Sequence, residues 1–234
     1  MQRYSKITNV HKYKREIVLL KSRPCAYGKC TFCDYILDNS TNIDEINAIN
    51  MDVLNNITGE FGILEVINSG NIFEIPQATK DEIKRIVKAK NIQLLFVEAH
   101  WMYKDHLHKI KNLFNVDVFI KTGLESFDYN FRENILNKGF YHESVEQLSK
   151  MYDSVCLLIG VQGQTREVIK SDIETAKKYF KHTTLNLYVN NTTPIKADKN
   201  LRDWFIKEYE YLKNDPQFEI LYNIEDFGVG DINC

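Results

Sequence analysis

The sequence lacks any uninterrupted apolar run of roughly 18 residues, the length that a membrane-spanning helix requires. Its 10 Gly and 4 Pro among 234 residues are too few for a linker-rich or low-complexity chain. The 30 Lys and Arg nearly balance the 32 Asp and Glu, so the formal net charge is −2. Proteins that bind nucleic acid or anionic membranes through charge normally carry a basic excess. We therefore expect neither partner and, with no apolar segment typical of a signal peptide, a cytoplasmic protein.

Short apolar runs alternate with amphipathic stretches along the whole chain, which predicts a single α/β domain over residues 1–234. The predicted strands are Glu16–Leu20, Ile63–Ile67, Gln93–Val97, Asp117–Lys121, Ser154–Ile159 and Leu185–Val189. The predicted helices are Ile43–Ile57, Thr79–Ala89, Lys104–Phe114, Asp128–Leu136 with His142–Met151, Arg166–Phe180 capped by Thr165, and Asp198–Lys213. Strand followed by helix, about six times, indicates parallel strands with right-handed crossovers. This order fits both a partial barrel and a doubly wound open sheet.

The tail after Pro216 departs from this rhythm. Phe218–Ile224 has the composition of a further strand, and Asp226–Gly230 is rich in turn residues. We expect residues 216–234 to form a short C-terminal segment that closes one mouth of the sheet or barrel.

The most specific motif is a loop with three cysteines, Cys25, Cys30 and Cys33, directly after the first predicted strand. In a cytosolic protein such crowding favours metal or redox chemistry over disulfides. Three thiolates can bind three irons of a four-iron cluster and leave the fourth iron open to a substrate or cofactor. A zinc site is the alternative, but zinc usually takes four protein ligands, and no Cys or His pair stands at zinc-finger spacing downstream. Cys156 lies in an apolar strand and is expected to be a core residue.

This loop resembles that of the radical S-adenosylmethionine (SAM) enzymes, in which an aromatic residue, here Phe32, precedes the third cysteine. The first gap holds four residues, where the common pattern has three. The resemblance implies a partial (β/α)6 barrel of parallel strands, a [4Fe-4S] cluster on the three cysteines, and S-adenosyl-L-methionine as cofactor. It also implies one-electron reduction by a partner such as flavodoxin or ferredoxin, and cleavage of SAM to methionine and a 5′-deoxyadenosyl radical that abstracts hydrogen from the substrate.

Four further segments follow their strands in the order that this resemblance requires, from Asn68 to Glu167. Polar groups at the carboxyl ends of parallel strands lie where ligands of β/α folds bind. Glycines in two of the segments allow a close approach of backbone to ligand, although each glycine also suits an ordinary turn. The acid and the hydroxyl after the third and fourth strands have the alternative of a solvated loop residue or a helix cap. The residues that the resemblance assigns to SAM are Phe32, Asn68, Ser69, Gly70, Asn71, Glu98, Ser126, Gly160, Val161 and Gln162.

The string Cys33–Asn39, the small size of the chain and the sequence of the tail look like the small radical enzymes of queuine salvage. These queuine lyases release the deazaguanine preQ1 by cutting its bond to a cyclopentenediol. A deazaguanine needs partners for its guanine-like edge and a flat surface for stacking. Candidate residues are His100, Trp101, Tyr188, Asn190, Asp226 and Phe227, of which Asp226 comes first because a carboxylate can accept from two donors.

Two alternatives stay open at this point. One is a radical enzyme of the same fold that acts on a peptide, a tRNA or a tetrapyrrole. The other is a non-enzymatic iron–sulfur or zinc protein, which would form no 5′-deoxyadenosine under reducing conditions. For Asp226, the alternative role is to cap the final turn.

Overall fold

A computed structural model describes residues 1–230, which fold into two compact units. The first unit comprises Met1–Gly28, Tyr35–Ile120 and the chain from Phe227 onward. The second comprises Lys29–Asp34 and Lys121–Asp226. Residues 231–234, which hold Cys234 and the end of the predicted closing segment, lie outside the described residues. The assignment of residues 1–234 to one domain stays a prediction.

The first unit is built on four strands that lie side by side in chain order. They are β1 (Tyr4–Ile7), β2 (Arg15–Leu20), β3 (Ile63–Asn68) and β4 (Leu94–Glu98). The pairs β2–β3 and β3–β4 are parallel, as predicted, whereas β1 runs antiparallel to β2. Every residue of β2 is buried, including Arg15 and Glu16 at its start, and the run from Ile17 to Leu20 is apolar, as expected for a strand covered on both faces.

The helices of the first unit connect these strands. They are α1 (Ile43–Leu54), α2 (Gln77–Ala89) and α3 (Leu107–Leu113), with shorter 3-10 helices at Tyr35–Asp38, Ile72–Glu74 and Trp101–His106. Asn42 caps α1 by accepting from the backbone N–H groups of Asp44 and Glu45. Val229 of the tail packs with Ile17 and Leu19 in the same unit.

The second unit repeats the same alternation with parallel strands only. Its strands are the part of β5 (Asp117–Glu125) from Lys121 onward, which pairs with β6, then β6 (Ser154–Ile159), β7 (His182–Leu187) and β8 (Phe218–Leu221). A bulge shifts the register between Gly123 and Glu125 at the end of β5. Since β8 lies inside the predicted Phe218–Ile224, the further strand in the tail is confirmed, although it ends at Leu221.

The helices of the second unit follow the predicted order with altered ends. They are a π-helical turn at Asn130–Ile135, α4 (Val145–Met151), α5 (Arg166–Tyr179), α6 (Lys199–Tyr209), a 3-10 helix at Glu210–Asn214, and the short α7 (Ile224–Phe227). The predicted cap is confirmed, because the Thr165 side chain accepts from the backbone N–H of Val168. Among the helices of residues 1–230, none is both long and apolar enough to cross a membrane.

Candidate functional site

In the first unit, side chains from later parts of the chain hold Cys25 through its backbone. The N–H of Cys25 donates to Asn39 Oδ1 at 3.1 Å, and Asn39 Nδ2 in turn donates to the carbonyl of Ser69 at 2.7 Å. The N–H of Ala26 donates to Glu74 Oε1 at 2.8 Å. The Cys25 thiol is half-buried and in no disulfide. The first cysteine is therefore fixed against the turn that follows β3.

That turn is organised by Glu74, a buried carboxylate that the sequence did not single out. Its oxygens accept from the backbone N–H of Asn71 at 2.9 Å, from Asn71 Nδ2 at 2.9 Å and from the hydroxyl of Tyr103 at 3.3 Å. A Cβ at Gly70 would overlap Glu74 Oε2, so a larger residue there would displace this carboxylate from its hydrogen bonds. Burial raises the pKa of Glu74 above its usual value despite these hydrogen bonds.

Asn68, at the end of β3, offers an acceptor to this region. Its Nδ2 donates to the carbonyl of Asn71 at 3.0 Å, but its buried Oδ1 accepts from no other described residue. Buried polar atoms normally have a partner. Asn68 Oδ1 is therefore suited to a donor group supplied by a ligand.

The end of β4 carries the remaining predicted residues of the first unit. Glu98, the last residue of β4, is half-buried. His100 caps the next turn by accepting from the N–H of Met102 at 3.2 Å, and its ring stacks on Tyr27 at a centroid distance of 4.9 Å. Trp101 is buried. The stacking of Tyr27 and His100 brings the cysteine loop and the end of β4 together.

In the second unit, the segment that holds Cys30 and Cys33 is also fixed through its backbone. The Thr31 hydroxyl donates to the carbonyl of Ile135 at 2.7 Å, and the Thr31 N–H donates to that of Leu136 at 3.0 Å. Asn191 Nδ2 donates to the carbonyl of Phe32 at 2.7 Å. Both thiols are half-buried and in no disulfide.

A buried ion pair that the sequence did not indicate lies against Phe32, the residue before Cys33. Lys138 Nζ is 2.9 Å from Glu125 Oε1 and 5.5 Å from the centroid of the Phe32 ring. Burial alone would lower the pKa of Lys138, but the charges of Glu125, Cys30 and Cys33 raise it above its usual value. The position of Glu125 next to the predicted Ser126 was the only sequence signal for this pair.

The structure also places Ser126 in a contact that the sequence did not indicate. The buried Ser126 hydroxyl donates to Asp172 Oδ2 at 2.7 Å, and the N–H of Phe127 donates to Asp172 Oδ1 at 2.8 Å. Burial raises the pKa of Asp172 to about 7. Helix α5 thereby fixes the carboxyl end of β5, and a SAM contact of Ser126 stays a prediction.

The turn after β6 depends on glycine and on one buried amide. Gln164 Nε2 donates to the carbonyl of Leu158 at 2.9 Å, while its Oε1 accepts from the N–H of Gly160 at 2.9 Å. Gly160 has a φ of +79°, and the side chain of Arg202 fills the space that a Cβ would need. Val161 is buried and Gln162 is exposed. This segment therefore presents backbone at the carboxyl end of β6.

Each residue that was predicted to bind substrate makes its own local contacts. In the second unit, the hydroxyl of the buried Tyr188 lies 3.4 Å from the carbonyl of Phe32 and 3.1 Å from Asn191 Oδ1, the nearer acceptor. Asn190 is exposed and its Oδ1 accepts from the N–H of Ala197 at 2.8 Å.

Asp226 and Phe227 lie in the tail. Asp226 Oδ2 accepts from the backbone N–H groups of Tyr222 at 2.9 Å and Asn223 at 3.2 Å, which is the contact of a turn cap. Phe227 is partly buried and packs in the first unit against the cluster of Ile17 and Val229.

The contacts of residues 1–230 do not include a complete set of metal ligands. Within residues 1–230, no three side chains of His, Cys, Asp or Glu form a group that could hold a metal ion. The ligand role of Cys25, Cys30 and Cys33 therefore stays a prediction, which is supported by their spacing and by the fixed backbone on either side.

Comparison with solved structures shows a full-length similarity. A queuine lyase from Clostridium spiroforme, solved bound to SAM and queuine, is 49% identical, with a TM-score of 0.95 over 99% of this chain and 100% of that one. A radical SAM methyltransferase from Sphaerobacter thermophilus has a TM-score of 0.61 at 11% identity, over 88% of this chain and 66% of its own. Streptococcus suis SuiB has a TM-score of 0.57 at 14% identity, over 88% and 48%. At such low identities the last two comparisons show the fold alone.

Among curated sequences, an uncharacterized protein of Methanocaldococcus jannaschii is 27% identical over 188 residues. The match covers 69% of this chain and 51% of that protein, so the chain spans about half the length of its curated relative. No protein-family model matches the chain. The predicted fold class, an α/β fold of the radical SAM type, is confirmed by the structural comparisons.

Proposed function

The chain belongs to the queuine lyase family of radical SAM enzymes, and we propose that it releases preQ1 from queuine by breaking the bond to the cyclopentenediol. The observation that carries this proposal is the 49% identity and the TM-score of 0.95 over the whole length of a queuine lyase. The cysteine loop and the order of the predicted SAM segments, read from the sequence alone, support the same reaction class.

Cys25, Cys30 and Cys33 are the proposed ligands of a [4Fe-4S] cluster. All three are thiols outside disulfides, and thiolate is the ligand that iron–sulfur clusters prefer. The ammonium of Lys138 lies 5.5 Å from the ring centroid of Phe32, the residue before Cys33, and suits a negatively charged group there. When bound and reduced, the cluster supplies the electron that cleaves SAM to methionine and a 5′-deoxyadenosyl radical.

SAM is the proposed cofactor, held at the carboxyl ends of the strands. The unsatisfied Oδ1 of Asn68 can accept from the amino group of the methionine moiety, in the turn with Ser69, Gly70 and Asn71. The backbone of Gly160, Val161 and Gln162 can lie close to the flat adenine, because Gly160 has no side chain in the way. Phe32, Glu98 and Ser126 complete the proposed cofactor contacts.

The queuine contacts are proposed from chemical type. The polar edge of the base needs hydrogen-bond partners in the protein, since each buried polar group without a partner weakens binding by about 1–3 kcal/mol. Trp101, Tyr188 and Phe227 offer aromatic surface for stacking, and His100 and Asn190 offer polar atoms. The Asp226 carboxylate already accepts hydrogen bonds from two backbone N–H groups. To bind the base, it has to accept further hydrogen bonds from the donors of the base.

Two features of the cellular setting belong to the same proposal. The reaction needs single electrons at low potential, which a flavodoxin or a ferredoxin supplies. The cytoplasm is the proposed compartment, because a cluster on three thiolates suits a reducing environment.

The proposal is tested by incubating the anaerobically reconstituted protein with SAM, queuine and a reductant, and following preQ1 and 5′-deoxyadenosine by mass spectrometry. Both products are expected, and neither is expected from Cys30→Ala. Formation of 5′-deoxyadenosine without preQ1 would refute the substrate but keep the radical chemistry. The absence of both, in a protein with full iron content, would refute the reaction class.

A further inference from the structure

The ion pair between Lys138 and Glu125 lies next to Phe32 of the cysteine loop, and both of its partners are largely buried. The side chains are 12% and 8% exposed, and the pair distance is 2.9 Å. Removing two opposite charges from water is expensive, and an apolar pair is often as stable. Stability alone is therefore a weak reason for this pair to be here.

The surroundings hold the ammonium in place next to the cysteine segment. Its Nζ lies 5.5 Å from the ring centroid of Phe32, the residue before Cys33. The preceding residue, Asn137, donates from Nδ2 to the carbonyl of Lys29 at 2.9 Å, next to Cys30. A Cβ at Gly123 would lie 2.5 Å from Glu125 Oε1 and 3.1 Å from Lys138 Nζ, so glycine leaves room for the pair.

A fixed charge close to an iron–sulfur cluster changes its reduction potential. The potential depends on net charge, hydrogen bonds to the sulfurs and solvent exposure. Each reduction adds one negative charge, and a nearby cation stabilises the reduced form more than the oxidised form. The effect is large where little water screens it.

On the basis of the proposed function, we propose that Lys138 raises the reduction potential of the cluster held by Cys25, Cys30 and Cys33, and that Glu125 limits this effect. Lys138 acts through its charge on the cluster and is not a catalytic residue. The protein would thereby bring an otherwise very negative potential closer to that of its electron donor.

The test is a redox titration of the anaerobically reconstituted protein without SAM, monitored by electron paramagnetic resonance. Lys138→Met is expected to shift the midpoint potential to more negative values, because the cation is lost. Glu125→Gln is expected to shift it to more positive values, because the cation stays and its counter-charge is lost. Lys199→Met is the matched control and should leave the potential unchanged, since Lys199 is 86% exposed on α6.

Opposite shifts in the two variants distinguish charge from a general disturbance of the loop, which would move both potentials in one direction. Equal potentials, or shifts of the same sign, would overturn the inference. If Lys138→Met takes up no iron, the inference is tested with Lys138→Arg and Glu125→Gln instead. Lys138→Arg should keep the wild-type midpoint potential, and Glu125→Gln should raise it. Any other pair of potentials would overturn the inference.

The inference and the proposed function fail in different ways. Wild-type protein that binds iron and forms 5′-deoxyadenosine but no preQ1 would refute the substrate alone, and the potentials of the variants would still test the inference. Wild-type protein that forms preQ1 while the variants keep its potential would refute the inference alone. Wild-type protein that assembles no cluster would overturn both.

Discussion

At the scale of single residues, Glu74 joins two loops that the sequence keeps far apart. It accepts from Ala26 in the cysteine loop and from Asn71 in the turn after β3, and a Cβ at position 70 would overlap it. A glutamine there has one oxygen fewer and adds two N–H donors. Some of the N–H groups that Glu74 satisfies would then face another donor.

Replacement of Glu74 by Gln is therefore expected to destabilise the protein by about 1–3 kcal/mol, the cost of one unsatisfied buried donor. It should also reduce iron retention, because the Cys25 loop loses its anchor. Urea unfolding of the apo protein and iron analysis measure the two effects. Glu210→Gln, at an exposed surface pair with Lys213, should change stability by no more than about 0.5 kcal/mol. A Glu74→Gln variant as stable as this control would contradict the anchoring role.

The three cysteines give a second prediction at this scale. Replacing Cys25, Cys30 or Cys33 by Ala should abolish the cluster, since each replacement removes one of the three proposed ligands. Iron and sulfide analysis after anaerobic reconstitution is the measurement. Cys156→Ala, in the half-buried site on β6, should keep full cluster content. Full content in Cys30→Ala would show that the ligands lie elsewhere.

At the scale of elements, the turn after β6 combines backbone strain with close packing. Gly160→Ala places a side chain at a φ of +79° and against Arg202. The left-handed backbone alone costs about 1–2 kcal/mol for a residue with a Cβ. Gly62→Ala is a matched control, because Gly62 has a φ of +64° but its nearest neighbour, Gln93, leaves room.

Both variants should be destabilised in urea unfolding, Gly160→Ala by more than Gly62→Ala. Only Gly160→Ala should weaken the binding of SAM in calorimetry, because its turn is the proposed adenine contact. Unchanged SAM affinity in Gly160→Ala would place the adenine elsewhere.

The ends of elements are where sequence patterns were least informative. The predicted helix Lys104–Phe114 is divided into a 3-10 helix and α3, because His100 caps a turn that begins at Trp101. Strand β7 begins at His182, three residues before the predicted Leu185. The residues His182, Thr183 and Thr184 have the polarity of a loop, but they are buried between β6 and β8, where Ser154 pairs with His182 Nδ1 at 2.8 Å.

At the scale of the whole molecule, Asp172 links stability to pH. Because burial raises its pKa to about 7 in the folded state, the folded protein binds one proton more than the unfolded chain between about pH 4 and pH 7. Its contribution to stability is complete below the unfolded pKa and is lost as the pH rises to about 7.

The stability of wild type relative to Asp172→Asn should therefore fall by up to about 1.4 kcal/mol per pH unit between about pH 5 and pH 7 and stay level above that. Urea unfolding of both proteins across this range is the measurement, and Asp172→Asn serves as the reference that cannot titrate. A difference independent of pH would mean that Asp172 is ionised throughout.

The alternation of strands and helices, the cysteine loop and the segments at strand ends were predictable from the sequence, because each depends on residues close together in the chain. It missed β1, whose four residues pair antiparallel with β2. The groups that support those segments became visible in the folded protein. Glu74 meets Ala26 across 48 residues, Asp172 meets Ser126 across 46, and Lys138 meets Glu125 across 13. Such contacts are set by how elements pack, and no local period or motif encodes them.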